Sequence, residues 1–152
     1  MSAPYSGGCL CGAIRYRLTA EPLTLYVCHC TDCQRQNGAS FNLSMPVPRA
    51  ALELVQGSPA RYAVELSGGR RWHGSFCGAC GTRVWGDPQR FPQLANLRPG
   101  TLDDTSWLRP VAHIWTRSAQ PWVPIPEHTL NYEKQPPDMA ELVRAWRDRN
   151  PS

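Results

Sequence analysis

Seven cysteines fall in three tight clusters, and no other feature restricts the fold of this chain as strongly. They are Cys9 and Cys11 in GGCLCG, Cys28, Cys30 and Cys33 in CHCTDC, and Cys77 and Cys80 in SFCGACGT. An odd number cannot close into a full set of disulfides. In a reducing compartment, CxC and CxxC spacings point instead to metal ligation or catalysis. Soft thiolate donors favour zinc among the common divalent ions. A chain that must bring sulfurs from distant segments to one point can fold only in ways that set those segments side by side.

The simplest partition joins the two pairs. Cys9, Cys11, Cys77 and Cys80 then supply four thiolates to one tetrahedral zinc, a closed structural site. Gly8, Gly12, Gly78 and Gly81 beside them permit the tight turns of a metal knuckle. Such a site ties the first strand to a turn far along the chain. The middle trio, Cys28, Cys30 and Cys33, is left with three ligands and an open fourth position, the pattern of a catalytic zinc. His29 is the rival for that position. It neighbours both Cys28 and Cys30, however, and in extended chain adjacent side chains point to opposite faces. A zinc ion with three thiolates is a weak Lewis acid, better suited to holding a soft thiol than to making hydroxide. A free thiol with a pKa near 8.5 is only a few per cent ionised at neutral pH, whereas coordination deprotonates it. Other readings of the trio stay open: a second structural site completed by His29 or a partner's side chain, a labile or empty site, or a redox trio that closes a reversible disulfide.

The 152 residues suit one domain with a modest core. Runs such as AIRYRL (13–18), LTLYVC (23–28), SFNLSM (40–45), ARYAVEL (60–66), TRVWG (82–86) and HIWTR (113–117) alternate apolar and polar residues. Turn formers at EP (21–22), PVP (46–48), GSP (57–59), SGG (67–69) and GDP (86–88) separate them, so an antiparallel, mostly β architecture is expected. TDCQRQNG after Cys30 predicts a turn or two of helix ended by Gly38. PPDMAELVRAWRDRN predicts a C-terminal amphipathic helix with Met139, Leu142, Val143 and Trp146 on one face. Asp138 would cap it, with Glu141 completing a capping box. The expected organisation is a zinc-binding domain over residues 1–136 and a helix over 137–152 packed on the same domain.

No stretch reaches the roughly 18 apolar residues of a membrane helix. The opening MSAPYSGGCLCG lacks a basic region followed by an apolar run. A cytoplasmic protein without membrane association is therefore expected. The formal charge is +4, but seven thiolates and two divalent ions would bring it to about +1. The basic residues are scattered, RR at 70–71 and RDR at 147–149 being the densest, so no nucleic-acid stripe is expected. The sequence leaves the oligomeric state open.

GGCLCGAIRY, CHCTDCQRQNGASF and SFCGACGTRVW together resemble the glutathione-dependent formaldehyde-activating enzyme family, which also includes centromere protein V. The similarity runs from about Gly7 to about Tyr132 and takes in PVAHIWTR and the following PW. The resemblance implies a β-tent fold of small antiparallel sheets pinned by structural zinc, with a short C-terminal helix. It implies structural zinc at Cys9, Cys11, Cys77 and Cys80 and catalytic zinc at Cys28, Cys30 and Cys33, two ions per chain, the catalytic one more labile. The activity it implies is carbon–sulfur lyase chemistry: glutathione or another small thiol adding to formaldehyde or a related aldehyde, as in S-hydroxymethylglutathione synthesis.

A different class, a non-catalytic zinc-stabilised binding module, shares the same metal motif, since a motif does not determine function. A B-type methionine sulfoxide reductase is a third candidate, but the trio's spacing is wrong for it. Asp32 and Gln34 flank Cys33 and could orient a bound thiol or an aldehyde oxygen; Arg35 could attract a substrate carboxylate. His73, His113, Trp85, Trp115 and Trp122 are expected as packing or cleft-wall residues.

Overall fold

A computed structural model describes residues 2–150; Met1, Pro151 and Ser152 lie outside the described residues. Its strands, in chain order, are β1 (Tyr5–Gly8), β2 (Arg15–Leu18), β3 (Tyr26–Cys28), β4 (Asn42–Pro48), β5 (Leu52–Gln56), β6 (Ala60–Leu66), β7 (Arg70–Phe76), β8 (Arg83–Pro88), β9 (Leu94–Leu97), β10 (Ala112–Ile114) and β11 (Leu130–Tyr132). The helices are α1 (Thr31–Asn37) and α2 (Ala140–Arg149). The fold is mostly β with small sheets and a short C-terminal helix. No helix is long and apolar enough to cross a membrane among the described residues.

The chain forms two compact units. One comprises residues 1–22 and 45–107, the other residues 23–44 and 108–152. In the first, β1, β2 and β5 make a three-stranded antiparallel sheet. The second half of β4 pairs with β9, followed by β8, β7 and β6, all antiparallel. Period-two alternation sends Tyr16 and Leu18 of β2, Met45 and Val47 of β4, and Ala95 and Leu97 of β9 inward. Tyr16 meets Trp85 of β8 edge-on, with ring centroids 6.2 Å apart at 84°. The aromatic pair therefore holds the two sheets of this unit against each other.

In the second unit, β3 lies between β10 and the first half of β4. Its pairing with β4 is antiparallel, whereas β10 runs parallel to both β3 and β11. The core holds Leu25, Val27, Val111, Ala112 and Ile114, covered by Leu142 and Trp146 of α2. Thr24 fixes the helix by donating its hydroxyl to the Leu142 carbonyl at 3.0 Å.

Local differences from the sequence expectation have physical causes. The PVP at 46–48 lies inside β4 rather than in a turn. The β3 ladder engages only Asn42, Leu43 and Ser44, so Pro46 and Pro48 remove no hydrogen bond from it. HIWTR stops at Ile114, because Trp115 adopts φ 58°, the one positive φ of a non-glycine among the described residues. The chain then turns through a short 3-10 segment, Thr116–Ser118. At α2, Asp138 accepts the Ala140 amide at 2.8 Å, but Glu141 takes the Tyr132 hydroxyl instead of closing a capping box. Strands β1, β5, β7, β9 and β11 were not expected; most are short, or carry too many polar residues to show alternation.

Glycine is obligatory where β7 and β8 cross. Gly74 and Gly86 are register partners, and a Cβ on Gly86 would run into the indole of Trp72. Gly86→Ala should lower unfolding free energy by about 1–3 kcal/mol in denaturant titrations. Gly100→Ala, where a Cβ meets nothing within 4 Å, should stay within about 0.5 kcal/mol of the parent.

Candidate metal centres

The two expected cysteine sets are brought together, each within its own unit. Cys9, Cys11, Cys77 and Cys80 place their sulfurs within 4.8 Å of one another, and so do Cys28, Cys30 and Cys33. All seven are free thiols. In the quartet, Cys9 and Cys11 sulfurs are 3.6 Å apart and Cys11 and Cys77 sulfurs 3.7 Å. A disulfide needs about 2.05 Å. A tetrahedron with metal–sulfur bonds of about 2.3 Å puts its sulfurs roughly 3.8 Å apart. The donor set and its spacing fit a tetrahedral soft metal ion.

Two turns of similar design build the quartet. The first follows β1 and the second follows β7. Gly12 accepts φ 79° and Gly81 φ 76°, which only glycine adopts without strain. The Gly12 amide bonds the Cys9 carbonyl at 3.1 Å and the Gly81 amide bonds the Cys77 carbonyl at 2.8 Å. Gly8 serves differently, since a Cβ there would strike the Ile14 carbonyl. Gly78 has nothing closer than 3.8 Å to such an atom, so the knuckle does not require a glycine there for space. The turns also aim hydrogen bonds at sulfur. Ile14 donates its amide to Cys9 at 3.2 Å. The Cys80 thiol lies 3.2 Å from the Thr82 hydroxyl. That hydroxyl, helped by the Thr82 and Cys11 amides, pulls Cys80 down to about 5.

The trio combines a strand and a helix. Cys28 ends β3 and is buried. Cys30 is the N-cap of α1, and its sulfur accepts the Cys33 amide at 3.3 Å. Gly38, with φ 58°, ends the helix as its sequence predicts. The neighbouring Cys30 and Cys33 sulfurs, with burial, push the Cys28 thiol far up. Three thiolates this close cannot all ionise unless a cation sits among them. The chemistry of this donor set therefore also fits a soft metal ion.

His29 does not join the trio. Its Nε2 lies 2.9 Å from Nδ1 of His113 in a buried, near-stacked pair. Cys28 is the register partner of Ile114, whereas His113 pairs with Val27, so the strand pleat sends the histidines to the face opposite Cys28. The His29 Nδ1 is buried without a partner among the described residues. A buried lone pair costs less than a buried orphan N–H, which puts the His29 proton on Nε2, donating to His113. Burial lowers both imidazoles, His113 to about 4 with His29 and His128 adding to the effect.

Around α1, side chains beyond the cysteines form a connected set. Gln34 donates its amide to the His29 carbonyl at 2.8 Å and to the Ser118 carbonyl at 2.9 Å. Gln120 donates to Gln34 at 3.2 Å, and Trp122 donates to Gln120 at 2.8 Å. Asn37 donates to Asn42 at 2.9 Å, and Asn42 to Ser44 at 2.6 Å; Asn42 is the register partner of Cys28. A cleft of about 500 Å³ is lined by Thr31, Gln34, Arg35, Gly38, Ser40 and Gln120, among others. Asp32 lies half-buried on α1, and His73 half-buried on β7. Trp85 is core and Trp115 half-buried, but Trp122 is 71% exposed, carried outward by a proline-rich segment. Gln120, Ser118 and Asn42 carry no sequence signal. Thr31, Gln34, Arg35 and Gly38 do share the i, i+3, i+4, i+7 spacing of one helix face.

The family model of the glutathione-dependent formaldehyde-activating enzyme matches residues 4–118, an interval that holds all seven cysteines. A Halomonas elongata protein, provisionally named a glutathione-dependent formaldehyde-activating enzyme, is 26% identical over 128 residues, covering 78% of this chain and 79% of that protein. The crystal structure of a Rhodobacter sphaeroides protein superposes with a TM-score of 0.54 at 19% identity, covering 67% of this chain and 91% of the other. That likeness concerns the fold.

A depressed histidine pKa means that the neutral pair favours the fold above pH 6.5 and that this contribution is lost as pH falls towards about 4. Long-range proton–nitrogen spectra should show His113 still neutral at about pH 5.5. A midpoint at the ordinary value would contradict the buried pair.

Proposed function

The chain belongs to the glutathione-dependent formaldehyde-activating enzyme family, and from that premise we propose that it is a zinc-dependent enzyme of the carbon–sulfur lyase type. It adds a small thiol such as glutathione to formaldehyde or a related aldehyde, or reverses that addition. In the forward direction a sulfur–carbon bond forms, the carbonyl π bond opens, and the thiol proton ends on the resulting hydroxyl. The observation that carries the reading is the trio itself: three cysteine sulfurs within 4.8 Å, with the adjacent histidine turned to the opposite face of the strand.

Cys9, Cys11, Cys77 and Cys80 hold the structural zinc, and Cys28, Cys30 and Cys33 hold the catalytic one. When bound at the trio, zinc supplies a positive centre that deprotonates a thiol and holds its sulfur. The protein's own groups arrange the rest. The N-cap geometry of Cys30 presents two sulfurs from one helix start, and Cys28 supplies the third from the strand. The Gln34 amide locks α1 to the chain at His29 and Ser118, so the helix start is held in place. Orientation of this kind replaces a chance encounter by a held geometry.

Metal analysis of protein prepared under reducing conditions should give two zinc ions per chain. Cys30→Ser should retain about one, with the far-ultraviolet spectrum unchanged. Exchange of carbon-13 formaldehyde with its glutathione adduct, followed by NMR, should run faster than in buffer with the parent protein and at the buffer rate with Cys30→Ser. Exchange at the buffer rate with the two-zinc protein would overturn the enzyme reading. Cys77→Ser should unfold the domain, since structural zinc contributes directly to folding.

A further inference from the structure

The corner between β3 and α1 is fastened more heavily than ligand spacing alone requires. Cys28 is the last residue of β3, Cys30 is the N-cap of α1, and His29 is the single residue between them. Three polar groups of His29 are tied to other segments of the same unit. Its amide donates to the Ile114 carbonyl at 3.0 Å. Its carbonyl accepts the Gln34 side-chain amide at 2.8 Å. Its imidazole Nε2 lies 2.9 Å from Nδ1 of His113. Two of these bonds reach neighbouring residues of β10 and the third reaches α1. Together they hold the corner against both elements, and the corner sets where the Cys28 sulfur lies relative to those of Cys30 and Cys33.

A second CxC element of the chain has no such fastening. In Cys9-Leu10-Cys11 the intervening side chain is 88% exposed, whereas His29 is fully buried. A spacer between two cysteines therefore need be neither buried nor polar. Burying an imidazole costs desolvation unless its nitrogens are paired, and His29 Nδ1 has no partner among the described residues. Phe41 covers the ring edge-on, with centroids 5.7 Å apart. His113 is the only other buried imidazole among the described residues. The pair lies on the face of β3 opposite Cys28, so neither ring faces the sulfurs, and what the pair supplies is position. Because β10 ends at Ile114, where Trp115 turns away, His113 and Ile114 are the last residues of that strand able to anchor the corner.

We infer that His113 is a positioning residue for the trio: acting through His29, it sets how tightly Cys28, Cys30 and Cys33 hold their ion. This role rests on the reading of the trio as a zinc site. Three sulfurs make one bond fewer than the quartet, so ligands already in place contribute a larger share of the affinity. Loss of a group that orients a metal's ligands commonly weakens the metal by about ten- to hundredfold. The His29 N–H needs an acceptor where Nδ1 of His113 stands. Asparagine can offer its carbonyl oxygen there, and leucine offers nothing.

The test titrates the full chain, loaded with two zinc ions under reducing conditions, with a chromogenic chelator. The ion that Cys30→Ser lacks is the trio's, and the other is the quartet's. His113→Leu should weaken zinc at the trio about tenfold and leave the quartet within about twofold. His113→Asn should recover most of that loss. His29→Leu should match His113→Leu, and the double variant should be no weaker than either, since each removes the same bond. The double variant leaves no buried N–H unpaired by the exchange, so it carries the comparison with the parent if His113→Leu does not fold. Retained quartet zinc and circular dichroism verify folding. Unchanged trio affinity in His113→Leu would overturn the inference. So would equal weakening of both sites, losses that multiply in the double variant, or a His113→Asn no better than His113→Leu. If the parent holds only one zinc ion, the reading of the trio falls and this role falls with it. If the parent holds two and His113→Leu changes nothing, only the role of His113 falls.

Discussion

Like charges at close range are the constraint around which this molecule is organised. Four sulfurs within 4.8 Å in one unit and three within the same limit in the other cannot all be thiolates in the absence of a cation. The chain nevertheless devotes its most specialised backbone to gathering them. Two positive-φ glycines, the amide hydrogen bond to Cys9 and the Thr82 hydroxyl at Cys80 all serve the quartet. Such groups favour the ionised sulfur, so the backbone around Cys9 and Cys80 suits charged sulfurs, and the quartet could hold a metal ion. The quartet also lies where the three-stranded sheet and the β7–β8 hairpin of the same unit meet. Coordination there would supply cohesion that short strands and a modest core do not.

The trio differs by a single donor, and its surroundings differ in kind. The quartet is closed on itself by matching turns. The trio is asymmetric, one sulfur from a strand end and two from a helix start. That asymmetry leaves the helix with a neighbouring face free to line a cleft. The segment that breaks at Trp115 matters for the same reason. Had β10 continued through HIWTR, the Ser118 carbonyl and Gln120 would not lie against Gln34, and the cleft would lose a wall. A left-handed conformation at a non-glycine residue costs on the order of 1 kcal/mol. Here it accompanies the placement of two groups that fix α1.

The two cysteine groupings were readable because their signal is local and chemical. CxC, CxCxxC and CxxC need no knowledge of the fold, and parity alone placed His29 opposite Cys28. α1 and its Gly38 stop were equally legible, because a cap residue and a helix-ending glycine act within one or two turns. Strands β6 and β8 showed through alternation. Strands β5, β7 and β9 did not, since edge exposure, close-packed glycines and short length erase the period-two pattern. The PVP of β4 misled for a related reason: proline disrupts a ladder only on the edge its missing N–H would serve, and Pro46 and Pro48 pair with β9 beyond the end of the β3 ladder, which is not local information.

By itself, the order of residues determined which side chains can bind a soft ion, which helix faces they occupy and that the chain is mostly β. These follow from covalent spacing and backbone geometry over a few residues. Only the tertiary structure decided that His29 pairs with His113, that Asn42 stands opposite Cys28, and that Gln120 closes onto Gln34 to wall a cleft beside Arg35. Those contacts join residues up to 86 positions apart. They exist because core packing and strand register, which are collective properties of the folded chain, bring the segments together.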